Sequence, residues 1–128
     1  LLDSISYMDN DESFYHGLLA GILMMLNGYK MLSNREAGNG RYDISLESRD
    51  GRKNPVILEF KRADKQKKMI EKAEEALKQI IDNRYDAPFI DEGYERCIHI
   101  GIGFCRKMCR VKCEVVDLEE ICLQTSKQ

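Results

Sequence analysis

The stretch from Asp43 to Lys61 holds the residue types and spacings that could do chemistry. Tyr42, Ile44 and Leu46 alternate with Asp43, Ser45 and Glu47, the pattern of a half-buried strand. Asp50-Gly51 follows, a strong hairpin signal. Beyond it, Val56, Leu58 and Phe60 alternate with Ile57, Glu59 and Lys61. Glu59 and Lys61 are two apart and project from one strand face. That strand otherwise reads as core, and a helix should cover the face, where charge persists only when paired or metal-bound. Two carboxylates on neighbouring strands, Asp43 and Glu59, with the backbone carbonyl of Phe60 beside them, supply the oxygen ligands of a hard divalent cation. Mg²⁺ takes few protein carboxylates and keeps other positions for water and phosphate oxygens. It lowers the pKa of bound water and neutralises charge developing on phosphate. Lys61 then orients that water or stabilises the transition state as a point charge. This division of labour suits phosphodiester hydrolysis. The same spacing also fits a plain ion pair between Glu59 and Lys61, with Asp43 merely opening a strand.

The elements that must position these residues read, in chain order, helix, three strands, helix, two strands. Asp9, Asn10 and Asp11 cap a first helix that is apolar on most sides from Phe14 to Leu26, which predicts a buried helix ending around Gly28. A short strand is expected from about Tyr29 to Glu36, before the turn-prone Gly38-Asn39-Gly40. A second helix is expected from about Asp64 to Arg84, with Ile70, Ala73, Leu77, Ile80 and Ile81 as its apolar stripe. On that arithmetic Gln79 is a solvated polar residue. Ile98, Ile100, Ile102 and Phe104 alternate with His99, Gly101 and Gly103, and a tight turn near Arg106-Lys107 leads into a last strand, Cys109 to Val116.

Composition bounds what such a site can serve. The chain has 128 residues, 43% of them hydrophobic and 33% charged, enough for one domain with a real core. A net charge of -2 gives no global attraction to phosphate, so any nucleic-acid function rests on a local site. The longest apolar stretch, Leu18 to Leu26, is about half of what a membrane span needs. Asp3, Asp9, Asp11 and Glu12 stand where a secretory signal would be positive, and five cysteines is an odd number, so a reducing cytoplasm is expected. The spacing of Cys105, Cys109 and Cys113 lacks any CxxC pair, which favours buried, metal-free thiols over a zinc site. Cys109, Val111, Cys113 and Val115 would share one buried strand face.

In order along the chain, ESFYHGLLAGIL, SNREAGNGRYDISLESR, PVILEFKRA, EEALKQIIDNRYD and HIGIGFCRKMCRV together resemble the PD-(D/E)XK nuclease superfamily. Within it they look like the bacterial branch found as the C-terminal domain of AAA-ATPase-like proteins. The resemblance implies an α/β fold with a restriction-endonuclease-like core, a mixed central β-sheet flanked by helices. It makes Asp43 and Glu59 the ligands of Mg²⁺ or Mn²⁺ and Lys61 the catalytic lysine. It also raises Gln79 to a site residue on the helix after the lysine strand, with Tyr85 following. Glu12 matches a first-helix acid that approaches the metal in RecB-like members; the plain alternative is that it stabilises the helix dipole, with His16 one turn away. Arg41 flanks the Gly38-Asn39-Gly40 turn and is a candidate phosphate contact, or a partner of Glu36. Lys65 belongs to a basic run, Lys61 to Lys72, that reads as a phosphate-tracking surface or a solvated face. The implied partners are DNA, with RNA open, and an AAA-type ATPase domain in the same full-length chain, of which residues 1–128 would be a single C-terminal domain. The start at Leu1 agrees with a fragment. The expected activity is metal-dependent nuclease; the alternative is an inactive nuclease-fold module that binds nucleic acid or protein beside the ATPase.

Overall fold

Strand-forming and helix-forming stretches alternate along the chain, and in the computed structural model they assemble around one five-stranded sheet. Residues 10–38 and 41–121 are described; residues 1–9, 39–40 and 122–128, and the side chains of residues 10–15, 35–38 and 41–42, lie outside the described residues. The elements are α1 (Asn10–Met25), β1 (Tyr29–Gly38), β2 (Arg41–Ser48), β3 (Val56–Arg62), a single 3₁₀ turn at Gln66–Lys68, α2 (Met69–Asp82), α3 (Ala87–Asp91), β4 (Arg96–Cys105) and β5 (Met108–Asp117). The sheet runs β1-β2-β3-β4-β5. All neighbours are antiparallel except β3 and β4, which are parallel. A parallel pair needs a crossover connection, and α2 with α3 supplies it. This mixed sheet flanked by helices is the restriction-endonuclease-like α/β arrangement that the motifs imply.

β3 is buried on both faces from Val56 to Phe60, which explains its near-continuous apolar run. On one side Leu58 and Phe60 pack with Ile44 and Leu46 of β2, Ile102 of β4 and Leu19 of α1. On the other, Ile57 packs with Cys97 of β4, Ile80 of α2, Phe89 of α3 and Leu118. Each large apolar side chain so buried contributes about 1.5–3 kcal/mol before conformational entropy is subtracted.

Three expectations need correction. The buried stripe of α2 is Met69, Ala73, Ala76 and Ile80, while Ile70 and Ile81 are exposed. The cause is the floor beneath the helix. Gly101 and Gly103 of β4 lie against the α2 backbone, the position of a Cβ at each falling on the carbonyl oxygens of Ala73 and Met69. Only small residues permit that approach, so the helix turns Ala73 and Ala76 inward. Helix α1 is not buried on most sides. Leu19 is buried and Leu18, Ile22 and Leu23 are half-buried, whereas Met24 and Met25 are exposed, because the sheet meets only one side of it. The face of β5 expected to be covered is open: Cys113, Val111 and Val115 are exposed and Cys109 is half-buried. β5 is an edge strand, and no described element covers its outer part. Cys97 and Cys105 are buried, as expected. The short helix α3, entered through Pro88, was not foreseen.

Candidate active site

Strand register sets the site. Asp43 of β2 stands directly opposite Glu59 of β3, an arrangement that brings two Cβ atoms to roughly 5 Å on the same face. The face is the one covered by α2. Glu59 is buried to 1% exposure and Asp43 is half-buried. A carboxylate so deeply placed is stable only with positive charge or hydrogen-bond donors around it. The side chain of Phe60 turns into the opposite core, leaving its carbonyl in the strand between Glu59 and Lys61.

Lys61 lies two residues further along the same face and is largely buried; its Nζ is 3.6 Å from Oε2 of Glu75 on α2. Lys72 Nζ donates to the same oxygen at 3.1 Å. The hydrogen bond from Lys72, opposed by partial desolvation and joined by the charges of Lys72 and Lys61, holds the Glu75 carboxyl below the usual range. Lys72, Glu75 and Gln79 recur at helical spacing and share one side of α2. Helix α2 runs back over β3, since Glu75 meets Lys61 while Ile80 packs on Ile57. One helical turn advances about 5.4 Å and two strand residues about 6.6 Å. Gln79, one turn on from Glu75 and next to Ile80, lies further along the same side of α2, toward the level of Ile57. Its Oε1 is buried with no hydrogen-bond partner among the described residues. The expectation of a solvated Gln79 from helical arithmetic fails for the reason given above: the helix is rotated toward its small residues.

Beside Asp43 a cavity of about 320 Å³ opens between the β1–β2 side of the sheet and the turn that joins α2 to α3. Ser33 and Ser45 line it from the strands, and Asn83, Arg84 and Tyr85 from the turn. The two serine hydroxyls hydrogen-bond at 2.6 Å, and Asn83 Nδ2 donates to the Tyr85 hydroxyl at 3.3 Å. The turn is anchored below by Asp86, which is buried beside the equally buried His99 of β4. Oδ2 and Nε2 are 3.2 Å apart, though off the line of a good hydrogen bond. Burial, and then the charge of Asp86, pushes the thiol of neighbouring Cys97 up to about 12.

The structure thus brings Asp43, Glu59, Phe60 and Lys61 together, puts Gln79 on the side of α2 that carries Glu75, and puts Tyr85 on the cavity next to Asp43. The side chains of Glu12, Glu36 and Arg41 lie outside the described residues. Lys65 is exposed on the connection after β3. Lys68 and Lys72 of the basic run are paired with Glu71 and Glu75, which favours a solvated, partly neutralised face. The ion pair found for Lys61 is the one to Glu75, a residue that sequence reasoning passed over, although its place between Lys72 and Gln79 was a usable signal. Arg84, Asn83 and the Asp86–His99 pair left no local signal.

No group of three or more His, Cys, Asp or Glu side chains is placed to hold a metal ion among the described residues. Two facing carboxylates and one backbone carbonyl nevertheless form a donor set of the kind Mg²⁺ accepts, since it uses one or two carboxylates and fills its shell with water and phosphate oxygen. No helix among the described residues is long and apolar enough to cross a membrane. The family model that describes the PD-(D/E)XK nuclease superfamily matches residues 10–114. No curated protein and no solved structure matches.

Proposed function

The chain belongs to the PD-(D/E)XK nuclease superfamily, and from that premise we propose that it is a Mg²⁺- or Mn²⁺-dependent nuclease hydrolysing DNA phosphodiester bonds. The observation that carries the reading is the register pair Asp43 and Glu59 on the helix-covered face, with Lys61 two residues along. Asp43, Glu59 and the Phe60 carbonyl would hold the cation, which when bound supplies a water of lowered pKa and offsets charge on the phosphate. Lys61 places a point charge beside the reacting phosphate. Glu75 fixes the direction of Lys61 from above, and Lys72 keeps Glu75 ionised. Gln79, on the same side of α2 as Glu75 and with a buried Oε1 unpartnered among the described residues, offers an amide to orient a water or a phosphate oxygen. Tyr85 flanks the entry; Lys65 and Arg41 are candidate phosphate contacts, and Glu12 a further candidate ligand. The proposal extends to a cytoplasmic setting and to an AAA-type ATPase domain in the same full-length chain, as the quoted motifs imply.

The test is calorimetric Mn²⁺ titration beside a cleavage assay on the parent, Asp43→Asn, Glu59→Gln and Lys61→Ala. The two carboxylate variants should lose metal affinity and cleavage together. Lys61→Ala removes no ligand, so it should bind Mn²⁺ like the parent while kcat falls by about 10²–10³. If Asp43→Asn and Glu59→Gln bind Mn²⁺ like the parent, the assignment of ligands is wrong. If the parent binds metal and DNA without cutting, the chain is a binding module.

A further inference from the structure

We propose that the cavity beside Asp43 seats one unstacked nucleobase, with Arg84 at its mouth on the adjoining phosphate, so that the protein acts on single strands and frayed ends rather than intact duplex. The inference rests on the nuclease reading for its reacting phosphate and goes beyond it in naming the form of the substrate. A volume of about 320 Å³ has room for one planar heterocycle. Tyr85 and Pro88 supply aromatic and apolar wall, the kind of surface on which any base stacks, and buried Phe89 backs it. The hydroxyls of Ser33 and Ser45 and the amide of Asn83 supply donors and acceptors for base edges. Hydrogen bonds among these groups already hold them in position.

Two features tie the cavity to the chemistry. Asp43 belongs both to its wall and to the carboxylate pair, so a base seated there carries its own phosphate within one nucleotide of the site. Arg84 takes a left-handed backbone, φ 53°, where glycine or asparagine would sit without strain. Arg84 is exposed, lines the cavity and has no ion-pair partner among the described residues. An arginine in this strained turn sets a planar fork of donors beside the base site, the geometry that phosphate accepts. A base inside a duplex reaches such a cavity only by leaving the stack, which costs least in single strands and at ends.

The experiment compares short single-stranded DNA, RNA of the same sequence and blunt duplex DNA, each carrying 2-aminopurine. Binding is read by fluorescence in EDTA, where cleavage does not intervene, and cutting is read separately with Mn²⁺. Single strands should bind roughly tenfold or more tightly than duplex, with a fluorescence change on binding. Binding by either the DNA or the RNA strand supports the proposal, the two arms reporting which sugar is preferred. Arg84→Gly should lower single-strand affinity several-fold while leaving Tm unchanged or higher, because glycine accepts φ 53°. Asn83→Trp, which fills the mouth from an exposed position, should abolish the fluorescence change. Duplex bound and cut as well as single strand, or both variants binding like the parent, would overturn the base site and leave the nuclease reading standing. If no nucleic acid is bound or cut under any condition, the nuclease reading falls and this inference with it.

Discussion

Replacing Gly101 by alanine tests how α2 is held over the site. The new Cβ would land inside contact of the Ala73 carbonyl oxygen, 3.0 Å from the Leu77 backbone nitrogen and 3.1 Å from Leu77 Cγ. Two of these three atoms are backbone, so no change of rotamer relieves the overlap and the helix itself must lift. Overpacking of this kind costs about 1–3 kcal/mol, and a clash with backbone belongs near the upper end. Exchanging glycine for alanine in a strand returns roughly 0.5–1 kcal/mol of backbone entropy. The net loss is about 2 kcal/mol, and with a urea m-value of about 1–3 kcal/mol/M the unfolding midpoint should fall by about 1 M. Because α2 carries Glu75 and Gln79, cleavage should fall further than Mn²⁺ affinity, whose proposed ligands lie on β2 and β3. Gly17→Ala and Gly21→Ala are the controls. Both sites are exposed in α1 with nothing within 4 Å of the added atom, so each should gain roughly 0.5–1 kcal/mol. If Gly101→Ala unfolds at the parent's midpoint, close packing of α2 on β4 is not what positions the helix.

The other predictions concern the Lys61 anchor and the thiols. The folded pKa of Glu75 is depressed, so its contribution to stability is present above the unfolded carboxylate value and is lost as pH falls through the lowered folded value. Glu75→Gln should flatten that acid limb of a stability–pH curve by under about 1 kcal/mol, as expected for a half-exposed pair, and should lower kcat with Mn²⁺ affinity unchanged. With iodoacetamide at pH 8, exposed Cys113 should be alkylated in the native protein. Buried Cys97, pushed up to about 12, should react only after denaturation; peptide mass spectrometry distinguishes the two, and modification of native Cys97 would contradict its burial.

The common face of Asp43, Glu59 and Lys61 was legible in the sequence because strand periodicity is local. Alternation by two fixes which side chains go together, and a hairpin between β2 and β3 keeps that choice in register. The alternation of β4 and β5 was legible for the same reason, and so was the order of helices and strands apart from α3, which at five residues is too short to show a period. Periodicity says which residues share a face but not what the face meets. The β5 pattern is the same whether or not a layer covers it, so only the tertiary structure showed Val111 and Val115 in the open. The apolar stripe of α2 could be turned by one position without changing its spacing. The glycine floor of β4, remote in sequence, decided that Ala73 and Ala76 face inward. That rotation buries Oε1 of Gln79 and brings Glu75 to Lys61. The cavity next to Asp43 has the same origin: its walls come from β1, β2 and the α2–α3 turn, and their meeting depends on how closely a helix can approach a sheet.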